Sequence, residues 1–178
     1  GAPAEAPTPS RKIAAFLAWA DRVAAVRPLW NPAAMLRWNT DKQYLRELAG
    51  RGVPIVPTRW LPRGSAQDLG AILAEERWSE AVVKPVVSAG ARRTRMVGPD
   101  TLQDGQAFLV EQLTQRAMMV QPYVASVSTA GELSMLYFNG RFSHAVRKIP
   151  AAGDFRVQTE HGGRVISVEP TAEERAAG

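Results

Sequence analysis

Apolar positions recur at helical spacing early in the chain. Ile13, Phe16, Leu17, Ala20 and Val23 form one stripe, which predicts a helix from Arg11 to about Val26 with Ser10 as its cap. The preceding GAPAEAPTP is Ala/Pro-rich and predicts extended or unstructured chain. Asn31-Pro32 marks a connection. Thr40-Asp41-Lys42-Gln43 has the spacing of a capping box opening a helix that ends near Gly50 or Gly52. Val53 to Leu61 predicts a strand, confined to a sheet edge by Pro54 and Pro57. Ser65-x-x-Asp68 opens a helix with Leu69, Ile72 and Leu73 inward. Ala81 to Val86 predicts a short strand interrupted at Lys84-Pro85, with Met96-Val97 as a return strand. A helix over Asp104 to Gln115, a strand over Ala117 to Val124 and a loop from Ala125 to Gly131 follow. Arg164 to Val168 predicts a last strand, and Thr171-x-x-Glu174 the start of another helix.

The strongest local signal is Asn139-Gly140 between two alternating runs, which predicts a β-hairpin. A two-residue turn pairs Phe138 with Arg141. An unbroken ladder then sets Leu136 against Ser143, Ser134 against Ala145 and Glu132 against Arg147. The other face carries Leu133 with Val146, Met135 with His144 and Tyr137 with Phe142. On this register His144 lies on an apolar, core-facing side. Lys148 leaves the hairpin, and Asp154-Phe155-Arg156 follows a Gly-bearing loop. A hairpin leading into Lys, Arg and the Gly162-Gly163 turn suits an anion.

Composition narrows the classes. The 178 residues are 46% hydrophobic, enough for one domain or two small lobes with a real core. The formal charge of +5 favours anionic partners such as nucleotides, nucleic acid or acidic substrates, or is simply a mildly basic surface. With no cysteine there are neither disulfides nor thiolate metal sites, and the expected setting is cytoplasmic. No apolar run approaches the ~18 residues a membrane span needs.

Several residues could carry chemistry. Lys84 stands inside the strand Ala-Val-Val-Lys-Pro-Val, where an unpaired ammonium is costly to bury. It is either an edge lysine facing water or a phosphate contact, and its place before a Ser/Gly loop favours the latter. Ser88, Ala89, Gly90 and Ala91 let backbone approach an anion closely, and Arg92, Arg93 and Arg95 add charge to the same loop. No Walker A or G-x-G-x-x-G motif occurs. Lys42 lies at a helix start, unfavourable for a cation, which points either to a compensating ligand or to a plain surface lysine. Pro122 releases the chain from the sheet after Gln121, so Tyr123 and Val124 could present backbone groups to a flat heterocycle. His161 falls in a turn. No triad or metal-ligand spacing is present, so no metal site is assigned.

Taken in order, WNTDKQYL, VPIVPT, AVVKPVVSAG, MVQPYV, GELSMLYFNGRFSHAVRK and GDFRVQTEHGG resemble the ATP-grasp superfamily of ATP-dependent carboxylate–amine ligases. The resemblance is to its glutathione-synthetase-like and ribosomal-protein glutamate ligase-like branches. It implies an α+β ATP-grasp fold with ATP held between two lobes: residues 38–120, and a partial C-terminal lobe, residues 121–178. Residues 1–37 would be a linker and helix left from a preceding domain. It implies that Lys42 and Lys84 reach the phosphates or the adenine edge, and that Ser88 and Gly90 belong to a cover over the phosphates. Gln121, Tyr123 and Val124 would meet adenine, and Glu132 would lie beside the nucleotide. Lys148 and Arg156 would face the γ-phosphate and a forming acyl-phosphate. Mg²⁺ is expected for a full-length member, but its acidic ligands would lie beyond Val168, where Glu169, Glu173 and Glu174 stand in the wrong context. The expectation is thus a nucleotide-binding core cut at both ends, acting with ATP and with carboxylate and amine substrates. A catalytically silent nucleotide-binding domain, or a nucleic-acid-binding module using Arg92, Arg93 and Arg95, is the alternative.

Overall fold

The computed structural model describes residues 11–176. The expected cap at Ser10 and the Ala/Pro-rich opening lie outside them. Helices and antiparallel sheets alternate in an α+β arrangement, in two compact units that meet in sequence between Pro122 and Tyr123.

In the first unit, α1 (Arg11–Val26) follows the predicted stripe only in part: Leu17 and Ala20 are buried, while Phe16 is exposed and stacks on Trp19 with ring centroids 5.8 Å apart. A helix that the apolar pattern does not reveal, α2 (Ala33–Thr40), starts directly after Pro32. Pro32 is its N-cap residue, and no side chain caps the start. Arg37 of α2 is bonded to Asp21 of α1 at 2.7 Å.

The expected capping box is displaced. The Thr40 hydroxyl donates back to the Leu36 carbonyl at 2.6 Å, closing α2. Asp41 Oδ1 accepts from the Gln43 backbone at 2.9 Å, and α3 (Tyr44–Gly50) begins one residue later. The predicted strand from Val53 shrinks to β1 (Arg59–Leu61), since Pro54 and Pro57 have no N–H for a ladder. Asp68, not Ser65, caps α4 (Leu69–Glu76), accepting from Ala71 N at 3.0 Å.

The first sheet has the order β1-β4-β2-β3, with β2 at Ala81–Pro85, β3 at Arg95–Val97 and β4 at Met118–Pro122. β2 is not interrupted at Lys84-Pro85, because both pair with β4, opposite Met119 and Met118. The β3 ladder stops at Val83, so Pro85 sits where one side of the strand has no neighbour and a missing N–H is tolerated. Ala81, Val83 and Pro85 are buried; Val82 and Lys84 are half-buried on the other face. α5 (Leu102–Leu113) and α4 cover the first face, and Leu69, Ile72, Val83, Val97, Leu109 and Val120 form the core with their neighbours.

In the second unit, Ala125 to Gly131 contains a short helix, α6 (Ser126–Ala130), where the sequence suggests a loop. The hairpin is present as β5 (Glu132–Phe138) and β6 (Arg141–Ile149), with Asn139 at φ 50° and Gly140 at φ 72°, both in the left-handed region that this turn needs. Its register is off by one beyond Tyr137. A β-bulge leaves Ser143 without a partner, so Leu136 pairs with His144, Met135 with Ala145 and Glu132 with Lys148 rather than Arg147. The same slip exposes His144 and buries Ala145, which corrects the core placement of His144. β7 (Arg164–Val168) pairs with β6 over the span expected. α7 (Ala172–Ala176) opens on a reciprocal cap, Glu174 N to Thr171 Oγ1 at 3.1 Å and Thr171 N to Glu174 Oε2 at 2.8 Å. Among the described residues no helix is long and apolar enough to cross a membrane.

The packing of α5 on β3 gives a direct test. A Cβ on Gly105 would stand 2.6 Å from Val97 Cγ2 and 3.2 Å from Leu69 Cδ2, whereas one on Gly50 meets nothing within 4 Å. Alanine is the better helix former by about 1 kcal/mol, but overpacking typically costs about 1–3 kcal/mol. Gly105→Ala should therefore lower the unfolding free energy and Gly50→Ala should not, as urea titration of the two variants will show.

Candidate functional site

Period-two alternation places Lys84 on the face of β2 away from the helical core, beside its cross-strand neighbour Met119. The turn before α3 brings Lys42 to the same end of this strand. Lys42 donates its backbone N–H to the Val86 carbonyl at 3.1 Å. Its Nζ donates to the Val86 carbonyl at 3.4 Å, to the Ser88 carbonyl at 3.0 Å and to Ser88 Oγ at 3.0 Å. Three acceptors on residues 86–88 thus match the three protons of one ammonium. The Lys42 pKa is lowered from 10.5 to about 8, chiefly by burial and then by the nearby Lys84 charge, with Asp41 opposing both. Two ammonium groups from distant parts of the chain therefore stand close together where the small-residue loop begins. Within that loop Gly90 (φ 63°), Ala91 (φ 51°) and Arg93 (φ 56°) are all left-handed, and Gly90 has open space around its Cα.

The other predicted contacts are placed as follows. Gln121 is buried, and its Nε2 donates to Thr58 Oγ1 at 2.8 Å, so its side chain is already engaged. The β1–β4 ladder ends at Arg59 opposite Val120, so Gln121 lies just past the last pair on that side. The Tyr123 hydroxyl shares a hydrogen bond with Ser128 Oγ, and Val124 is exposed. Glu132 and Lys148 are bridged at 2.9 Å across the hairpin. Arg147, expected opposite Glu132, instead donates to the Ala130 carbonyl at 3.1 Å and to Glu174 Oε1 at 3.2 Å. Arg156 is held by Asp154, with Nη2 2.7 Å from Oδ2. That carboxylate lies well below the usual range, chiefly through hydrogen bonds from the Arg156 side chain.

Two charged neighbours of these residues are absent from the sequence-based candidates. Asp154 is one, although an Asp-x-Arg spacing in a turn is a visible signal. Arg116 is the other. A bond from Val86 N to the Ala117 carbonyl at 3.2 Å puts it beside the end of β2, and Arg93 is near enough to lower its pKa further after burial does so. That proximity is tertiary and leaves no trace in local pattern. Among the described residues no three His, Asp or Glu side chains gather as a metal site would require.

These features define an ATP-grasp domain, and the chain belongs to that family. A family model described as prokaryotic glutathione synthetase, ATP-grasp domain, matches residues 63–177. The resemblance drawn from the motifs therefore holds, and members of this family use ATP. The chain is 33% identical over 145 residues to the cycloserine biosynthesis protein DcsG of Streptomyces lavendulae, covering 78% of this chain and 48% of that protein. It is 32% identical over 149 residues to a glutathione synthetase of Prochlorococcus marinus, covering 83% of this chain and 44% of the relative. The crystal structure of the D-cycloserine synthetase DcsG superposes with a TM-score of 0.77 at 29% identity, over 93% of this chain and 58% of that one. The chain spans about half the length of the curated relatives it matches.

The low pKa of Lys42 has a measurable consequence. Between pH 8 and 10.5 the unfolded chain holds a proton at this position that the folded chain has lost, so folding becomes more favourable as pH rises through that window. Below it Lys42 is charged in both states, and its burial cost is fully present. Unfolding measured from pH 7 to 10 should show wild type gaining stability relative to Lys42→Met above about pH 8; parallel curves would contradict the buried ammonium.

Proposed function

We propose that this chain is the ATP-binding part of an ATP-dependent carboxylate–amine ligase. The observation that carries the reading is the convergence of Lys42 and Lys84 with Ser88 at the base of a small-residue loop. Lysines brought together beside a loop of small residues suit the charge and the close backbone approach of a triphosphate. Three or four charge-assisted contacts, each worth ~1.5–3 kcal/mol, together with adenine burial, reach the ~8 kcal/mol of micromolar binding.

On this reading Lys42, Lys84 and the loop around Ser88 and Gly90 hold the phosphates. Gln121 contributes backbone rather than its engaged side chain to adenine, with Tyr123 and Val124. Glu132 lies beside the nucleotide. Lys148 and Arg156 face the γ-phosphate. The reaction would join a carboxylate oxygen to the γ-phosphorus with loss of ADP; an amine would then displace phosphate from the acyl carbon. Positioning and charge neutralisation, which lysine and arginine provide, are what phosphoryl transfer asks of a protein. The described acids do not form a metal site, so no step is assigned to Mg²⁺ on these residues.

Calorimetric titration with ATP tests the reading. Saturable binding should weaken by about 10- to 150-fold in Lys84→Ala, the equivalent of one charge-assisted contact. ATP stabilises the protonated form of Lys42, so affinity should also fall as pH rises above about 8, and that slope should vanish in Lys42→Met. Absence of saturable binding would overturn the reading, and retention on DNA that falls steeply with salt and ignores Lys84 would favour a nucleic-acid-binding module instead.

A further inference from the structure

We infer that Asp154 is the positioning residue for Arg156: its carboxylate fixes one edge of the guanidinium and leaves the other end to a phosphate. The inference rests on the reading of Arg156 as a phosphate contact. Both residues lie in the loop that follows β6. Asp154 Oδ1 accepts from the Arg156 backbone N–H at 2.9 Å and from its Nε at 3.0 Å. Oδ2 accepts from Nε at 3.1 Å and from Nη2 at 2.7 Å. One carboxylate thus holds both the backbone and the side chain of the same arginine, so neither can turn without the other.

The loop itself is framed on both sides. Asp154 N donates to the Ala151 carbonyl at 3.0 Å. On the other flank Val157 is buried, and its carbonyl stands 2.3 Å from where a Cβ on Gly163 would be, so only glycine allows this approach. A guanidinium has five N–H groups in a rigid fork. The contacts to Asp154 occupy the Nε and inner Nη2 positions and leave those of Nη1 and the outer Nη2. That free end is a planar pair of donors matched to two oxygens of one phosphate. An exposed ion pair by itself adds little to stability. Its effect here is geometric: the long side chain is ordered before the anion arrives, which lowers the cost of binding. The opposite role, a counter-ion that competes with the phosphate, predicts the opposite sign on removal.

Four variants, Asp154→Ala, Asp154→Glu, Arg156→Ala and the double alanine, decide the matter by two measurements on the full chain. In nucleotide-free protein the Arg156 Nε–H should give a protected NMR signal, absent in Arg156→Ala and lost in Asp154→Ala. In calorimetry Asp154→Ala should weaken ATP by about tenfold, as Arg156→Ala does, with ADP changed less than about twofold. The double variant should be no weaker than Arg156→Ala, and Asp154→Glu should recover part of the loss. Survival of the Nε–H signal in Asp154→Ala, tighter ATP binding in that variant, or losses that multiply in the double variant would each overturn the inference alone. ATP binding unchanged in Arg156→Ala would overturn the phosphate role of Arg156 and this inference with it.

Discussion

The first unit is organised by the cost of placing ammonium groups next to packed hydrocarbon. β2 alternates strictly, so the residues that fill the core and the lysine that avoids it belong to one five-residue strand. Lys42 meets the same constraint from the other direction: it is drawn in by three oxygens of the chain that leaves β2. The two ammonium groups raise each other's energy, while carbonyls and a hydroxyl hold Lys42 in place.

The second unit works differently. Several of its cations are paired with acids from within the unit: Lys148 with Glu132, Arg156 with Asp154, Arg147 with Glu174. Little of its sheet is fully buried, with Ala145 the buried hydrophobic residue of β5 and β6, and Val165 and Ile166 of β7 exposed. These ion pairs lie near the surface and each adds little, and they are sensitive to salt and pH in a way the first unit's core is not.

Much of this was legible in the sequence wherever the deciding interaction is local. The α1 span, the Asn-Gly turn, β7 and the Thr171–Glu174 cap depend on residues a few positions apart, and the ordered motifs sufficed to indicate an ATP-grasp fold. The failures have a common cause in longer-range competition. Thr40 could cap forward or bond backward, and the end of α2 decided it. Lys84-Pro85 reads as a break until a neighbouring strand is known to stop at Val83. From the residues themselves Lys42 and Lys84 stand out singly, and only the family resemblance brings them to one ligand; their proximity, like that of Arg93 and Arg116, is set by tertiary packing and has no local signature.

The unpaired Ser143 carries one more implication. Because side chains alternate across a strand, a single extra residue exchanges the partners of everything beyond it. Here it gives Glu132 a lysine instead of an arginine and turns Arg147 toward the helix that follows β7. Among related sequences, then, hairpin length is a variable in its own right: loss or gain of one residue near the tip would rewire charges at the far end while leaving every charged side chain in place.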